Sequence, residues 1–392
     1  MSKTISIGKN VVGLEHPTYF IADIAANHDG DLEKAKDLIY SCAEKGANAA
    51  KFQNFQAETI VSDYGFKSLG GQQSHQANWK KSVFDVYKAA SLPIEWTDTL
   101  KETCAKAGID YFTSPYSLEL VEYFAPHVAA WKLGSGDINW LDEIAAMAKT
   151  GKPLIMATGA STMEDVKRAY DTAAKYTDDL VLMQCNTNYT ASLKESRTQA
   201  LERLSHINLK VLEAYAREFP GVILGLSDHT HGSTTVVASV AMYNVRVIEK
   251  HYTLDNNAEG PDHPFSMNPQ SWEEMVQKTR ALEARLKPGM DFKERFALAE
   301  ELGDDREELK AAIGDGIKKI EANEKETCVL QRRSYRATRD VRAGEPLNPK
   351  DFFPLRPCPT DALPLYRFGE CVGKPIKRAI VKGDYLKTGD VL

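Results

Sequence analysis

Two histidines stand at the ends of short apolar runs, 22 residues apart: His229 in LGLSDHTH (224–231) and His251 in VIEKHYTLD (247–255). A single imidazole at the end of a buried strand is either a hydrogen-bonded core group or a ligand. Two of them on neighbouring strands, with Asp23 in the first such run of the chain, make a candidate divalent-metal site. Two imidazoles, waters and no thiolate suit Mn²⁺, Fe²⁺ or Co²⁺ better than Mg²⁺. Such a site keeps positions open for a substrate oxygen, as Lewis-acid chemistry requires.

Two lysines carry a second signal. Lys51 in AAKFQNF (49–55) and Lys132 in AWKLGS (130–135) follow apolar residues inside strand-like runs. Burying a lone ammonium is expensive, so each needs an anionic partner. That partner is either Asp23 or Glu249, in a structural ion pair, or a bound phosphate or carboxylate. The hydroxyls of Ser114, Ser135, Thr187 and Ser227, with the backbone N–H groups of GSG (134–136), would complete a phosphate cradle. His28 is expected only to order the NHDG turn, and His231 to face solvent.

These residues need a frame that brings distant strand ends together. Strand-like runs occur at 19–25, 49–55, 110–114, 130–135, 153–159, 180–186, 222–228 and 247–253, with amphipathic helical segments between them. In 31–47, for example, Leu32, Ala35, Leu38, Ile39 and Cys42 recur at helical spacing. Eight such units in about 285 residues match a (β/α)8 barrel, whose catalytic groups lie at the C-terminal strand ends. No run is followed by the GxGxxG of a doubly wound dinucleotide fold. The polar stretch 56–90 is a long excursion after the second strand, on the face where loops are functional.

The reading divides the chain into a TIM-barrel catalytic domain (1–286), a charged helical linker (287–326) with a solvated helix near 291–313, and a small β-rich module (327–392). The module contains two similar turns, VRAGEPLNPKDF and IVKGDYLKTGDV. Net charge is -6, which argues against nucleic acid as a partner. The N-terminus shows no long apolar stretch, and no window approaches the roughly 18 apolar residues of a membrane span. The six cysteines lack CxxC spacing, which suits reduced thiols. A cytoplasmic protein without membrane contact is expected.

The order ADIAANHDGDLEKAKDLI, GANAAKFQNF, YFTSPYS, WKLGSGD, GLSDHT, EKHYTLD and EGPDHPFSMNP resembles the sialic acid synthase family. The tail RRSYRATRDVRAGEPL resembles its C-terminal antifreeze-like (SAF) domain. The resemblance implies condensation of phosphoenolpyruvate with an N-acetylated hexosamine to a nine-carbon 2-keto acid, with release of phosphate. It implies a metal, Mn²⁺ foremost with Mg²⁺ or Co²⁺ as substitutes, on His229 and His251, and a catalytic role for Asp23. Phosphoenolpyruvate contacts then fall on Lys51, Ser114, Lys132, Ser135, Thr187 and Ser227. Sugar contacts fall on Gln53, Asn78, Asp137, Tyr189 and Asp262. Arg333, in the RRS motif, matches an arginine sent into the partner's barrel, which implies a domain-swapped homodimer with the linker as its reach.

Several positions depart from the family pattern. Asp23 and Asp137 stand where Glu is usual, Ala157 where some members have Ser, Thr190 where Pro is usual, and RPCPTDALPL replaces an RPGxGI-like segment. Losing a methylene pulls a carboxylate back by about 1.5 Å, and a 1 Å misplacement can cost on the order of 10²-fold in rate. The acceptor expected from this is N-acetylmannosamine or, in view of the departures, a 2,4-diacetamido-trideoxy hexose. The rivals are a barrel acting on a sugar phosphate, a metal aldolase, and a non-catalytic carbohydrate-binding barrel. The retained lysines and histidines weigh against the last.

Overall fold

The computed structural model describes residues 3–70, 76 and 79–391. An N-terminal hairpin, β1 (Thr4–Ile7) and β2 (Asn10–Gly13), precedes eight parallel strands. These are β3 (Tyr19–Asp23), β4 (Ala49–Asn54), β5 (Asp110–Pro115), β6 (Trp131–Leu133), β7 (Leu154–Ala157), β8 (Leu180–Cys185), β9 (Ile223–Asp228) and β10 (Val247–His251). Each matches one predicted run. Their hydrogen-bonded order is β5-β4-β3-β10-β9-β8-β7-β6, and β5 packs against β6 to close a TIM-type barrel.

The hairpin is absent from the sequence reading. Its alternating Ile5, Ile7 and Val12 cap the bottom of the barrel, packing on Tyr19, Ile21, Phe112, Ile155, Val181 and Val247. Helices cover the outside. The helix Leu32–Glu44 buries Ala35, Leu38, Ile39 and Cys42, four of the residues that announced it, and Asp31 caps its N-terminus.

The segment expected as one solvated helix is two, Phe292–Glu301 and Arg306–Ile313, broken at Gly303 with its positive φ of 91°. Neither is fully solvated. Leu298, Ala299, Leu309 and Ala312 are buried against the helix Thr234–Tyr243. Asp304, in the break, has one carboxylate oxygen without a hydrogen-bond partner, and burial raises its pKa to about 6. A raised folded-state value means that the native state holds the proton more tightly, so this group costs stability as pH rises from about 4 to 6. Asp304→Asn should therefore stabilise the protein by about 1–2 kcal/mol at pH 7.5 and leave it unchanged below about pH 4. Thermal melts at the two pH values test this.

The C-terminal module is built on β11 (Ser334–Ala337) paired antiparallel with β12 (Phe352–Leu355). Its two similar turns pair with each other through the bridge Val341↔Ile380, and the first turn also bridges to the segment before the second, at Pro346↔Pro375. Leu347, Phe352, Leu363, Ile376 and Leu386 fill the core between them. The module docks on its own chain's excursion after β4: Arg356 N–H donates to Ile60 O, and Ser62 N–H donates to Arg356 O (2.9 and 2.8 Å). The linker thus wraps the barrel of its own chain. All six cysteines are free, and no described helix is long and apolar enough to cross a membrane.

Candidate functional site

Side chains alternate across a strand, so every second residue of a barrel strand points inward. Along β3 the inward series is Tyr19, Ile21, Asp23; along β4, Ala49, Lys51, Gln53; along β10, Val247, Glu249, His251. The lower members belong to the barrel's apolar core. The upper members are polar and line a cavity at the C-terminal face. β5 ends in Ser114, β6 carries Lys132 and β9 carries Ser227, and all three reach the same wall. Most of the polar residues read from the strand ends line this one cavity.

Both lysines are buried in ion pairs. Lys51 Nζ lies 2.7 Å from Asp23 Oδ2 and 3.9 Å from Glu249 Oε2; Lys132 Nζ lies 3.2 Å from Glu249 Oε1. Gln53 Nε2 also donates to Asp23, at 3.1 Å. Burial works to lower the Lys51 pKa, but the Asp23 and Glu249 carboxylates outweigh it and the net shift is upward. Two ammonium groups against two carboxylates sum to zero. The structural reading of the lysines is met, since the pairs form, and they do so on the wall of a cavity.

The rings of His229 and His251 lie 5.5 Å apart, with Tyr189 and Phe265 packed against both. His229 Nδ1 is 3.0 Å from Asn186 O, which orients the ring. His251 Nε2 is 3.5 Å from Asp23 Oδ2, and its Nδ1 is buried without a hydrogen-bond partner. Burial, aided by His229 and Lys51, pushes the His251 pKa well below the usual imidazole value, so its lone pairs are available. Burial also opposes charge on His229, but hydrogen bonds from its ring to Cys185 and to the Asn186 carbonyl outweigh it and raise its pKa. Among the described residues no cluster of three or more His, Cys, Asp or Glu is arranged around a single ion. The donor set thus fits an open, two-imidazole site completed by water and substrate, and does not fit a closed structural site.

The hydroxyls divide. Ser114 Oγ is buried and unpartnered, and Ser227 Oγ donates to Glu249 at 3.3 Å. Ser135 Oγ accepts the Gly159 N–H at 2.9 Å and lies in hydrogen-bond reach of the Cys185 thiol, so its own proton can turn to Cys185 or to an anion. Thr187 is not on the cavity wall. Its Oγ1 lies against the Gly159 backbone, so close that a Cβ there would meet it at 1.7 Å, and it makes a 3.7 Å contact with Cys185 Sγ. His28 orders its turn as expected, accepting from Gly30 N–H at 3.0 Å, whereas His231 is half-buried with its Nε2 unpartnered.

On the sugar side, Gln53, Tyr189 and Asp262 line the cavity, and Asn78 lies outside the described residues. Burial raises the Asp262 pKa to about 6. Asp137 and Arg333 do not reach the wall. Asp137 is buried beneath it, paired with Arg333 and, at 2.6 Å, with Arg356. Burial alone would raise its pKa, but the two guanidinium groups outweigh that and hold it low. Arg333 is fully buried in its own chain, where it also donates to the carbonyls of Thr59, Pro354 and Tyr116 (2.9 Å each) and lies over Trp140. Every arm of the guanidinium is taken within the chain. The module's cation on the cavity wall is Arg356, with Gln331 beside it. Sequence reasoning passed over Arg356; the RP dipeptide after β12 was its only signal.

Trp79, Val86, Ala90, Phe55 and Ile60 form an apolar band on the same wall, contributed largely by the excursion after β4. Four buried polar atoms on residues of the wall have no hydrogen-bond partner: Ser114 Oγ, Glu249 Oε2, His251 Nδ1 and Arg356 Nε. Native interiors rarely leave such groups unpaired, and their convergence marks a binding site.

A family model described as NeuB family matches residues 38–291, and a SAF domain model matches residues 332–392. The chain is 31% identical over 345 residues to an N,N'-diacetyllegionaminic acid synthase of Legionella pneumophila, covering 86% of this chain and 85% of that protein. It is 30% identical over 383 residues to a pseudaminic acid synthase of Campylobacter jejuni, covering 95% and 96%. The fold is shared with the spore coat polysaccharide biosynthesis protein SpsE of Bacillus subtilis, with a TM-score of 0.76 at 24% identity over 99% of both chains.

Proposed function

This chain belongs to the NeuB family and carries a SAF domain, and from that premise we propose that it condenses phosphoenolpyruvate with an acylamino sugar to give a nine-carbon 2-keto acid. The observation that carries this reading is the convergence of Lys51, Lys132 and the unpartnered polar groups on one cavity beside two histidines. Phosphoenolpyruvate is a compact polyanion. Lys51 and Lys132 supply point charges for its phosphate and carboxylate, and Ser114, Ser135 and Ser227 supply hydroxyl donors around them. Asp23 and Glu249 already neutralise the two lysines, so further positive charge is needed. Arg356 and a divalent metal on His229 and His251 meet that need, Mn²⁺ foremost with Mg²⁺ or Co²⁺ as substitutes.

The metal, when bound, polarises the aldehyde of the open-chain sugar. The protein's own groups do the rest. Asp23 orients Lys51 and Gln53, which fixes the anion relative to the acceptor. C3 of phosphoenolpyruvate forms the new bond to the aldehyde carbon. Water adds at C2, and phosphate leaves with cleavage of the C–O bond. Asp262 and Tyr189 hold acceptor hydroxyls, and Arg356 takes the place on the cavity expected for Arg333.

The apolar band favours an acceptor rich in methyl groups, such as a 2,4-diacetamido-trideoxy hexose. Among the described residues of the wall, the only lysines and arginines are Lys51, Lys132 and Arg356, too few for a second phosphate on the acceptor. Phosphate release from phosphoenolpyruvate with Mn²⁺ is the test, across N-acetylmannosamine, the diacetamido sugar and a sugar phosphate. The diacetamido sugar should give the highest kcat/KM. Turnover confined to the sugar phosphate overturns this reading. The resemblance also implies a homodimer, which light scattering decides; Arg356 reaches the cavity within one chain.

A further inference from the structure

The segment that joins linker to module crosses the C-terminal face of the barrel at the ends of β7 and β8. Glu324, at the start of the short helix Lys325–Gln331, is almost fully buried. One of its oxygens accepts two backbone N–H groups, from Ala160 at 2.7 Å and from Thr187 at 2.6 Å. At the other end of the helix, Arg332 donates to Ala160 O at 2.9 Å, to Ser161 Oγ at 3.3 Å and to Asp165 at 2.7 Å. Ala160 is therefore held by both its N–H and its C=O. It has a φ of 47°, a left-handed conformation that an alanine adopts only under constraint.

The turn held in this way supports the cavity. Gly159, the residue before Ala160, gives its N–H to Ser135 Oγ and carries no Cβ that would collide with Thr187 Oγ1. The direction of the Ser135 proton, and the packing of Thr187 behind it, depend on the conformation of residues 159–160.

We infer that Glu324 and Arg332 are positioning residues: together they strap the β7 turn into its strained conformation and so set the Ser135 hydroxyl toward the bound anion. The inference rests on the reading of the cavity as a phosphoenolpyruvate site. Docking of the C-terminal module is thereby coupled to the anion cradle, because the same short helix that leads into the module carries the strap.

The test combines kinetics with amide exchange on the full-length protein. Glu324→Ala should raise KM for phosphoenolpyruvate by about tenfold or more, with kcat and the acceptor KM changed by less than about threefold. Glu324→Gln should lose far less than Glu324→Ala, since its amide oxygen still accepts the Ala160 and Thr187 N–H groups and only the acceptor for Glu321 N–H, at 3.0 Å, is given up. Adding Ala160→Gly to Glu324→Ala should recover part of the loss, because glycine adopts the left-handed turn without a strap. In the ligand-free protein, the amides of Ala160 and Thr187 should exchange faster by about tenfold or more in Glu324→Ala, while those of β3 and β10 stay protected. Unchanged exchange at 160 and 187, or a fall in kcat and stability that Glu324→Gln shares, overturns the inference. If wild type itself fails to consume phosphoenolpyruvate, the reading of the cavity falls, and amide exchange still decides the strap. Should Glu324→Ala not fold, Arg332→Met releases the same turn from its carbonyl side and is read in the same two ways.

Discussion

His251→Ala should lower metal-dependent phosphate release from phosphoenolpyruvate by about 10³-fold or more and abolish stoichiometric Mn²⁺ binding. The size follows from what the residue does. Its burial and the nearby Lys51 keep the imidazole neutral, which is the form that ligates. Among the described residues, His229 is the one other imidazole on the cavity wall, so losing either leaves a single nitrogen donor there. Asp23 cannot compensate at full strength, because Lys51 and Gln53 already occupy its Oδ2. Mn²⁺ electron paramagnetic resonance titration separates this role from a structural one. A variant that keeps wild-type Mn²⁺ affinity and activity within about tenfold would remove His251 from the metal site.

Asp137→Asn should destabilise the protein by about 3–5 kcal/mol, because it leaves two buried guanidinium groups without their anion. Asp137 holds Arg333 from the start of the module and Arg356 from just after β12, so the loss is expected at the docking surface. Limited proteolysis should then cut in 314–332 at protein concentrations where the wild type resists. Asp137→Glu, which restores the residue usual in the resembling family, keeps both charges and should lose far less. The pH dependence has a definite sign. The folded-state pKa is depressed, so this stabilisation is fully present above the unfolded carboxyl value of about 3.9 and disappears as pH falls through the lower, folded value. Module docking should therefore be as firm at pH 5 as at pH 7. Undocking between pH 7 and pH 5 would contradict the assignment. Glu143, buried beside this cluster with neither oxygen paired, has its pKa driven upward by burial and by Asp137, so it adds no second negative charge there.

Asp137 lies beneath the cavity wall for a reason that sequence does not carry. It follows a barrel strand by four residues, and a carboxylate there can turn into the cavity or away from it. The choice is made by two arginines roughly 200 positions later, which exist as partners only once the module has docked. The same contact consumes Arg333 and leaves Arg356 on the wall.

The sequence by itself determined the barrel and most of the ring. Strand and helix periodicities are local, and within a strand the alternation that buries Ile21 must also turn Asp23 inward, as burying Val247 turns Glu249 and His251. For that reason Asp23, Lys51, Gln53, Lys132, Ser114, Ser227 and both histidines could be placed before any coordinates. Tertiary structure alone decided where the linker runs, which module arginine meets the cavity, and that Glu324 holds the turn behind Ser135. These depend on contacts between segments separated by well over 100 residues, and no spacing or periodicity within either segment encodes which backbone N–H or carboxylate the other will offer.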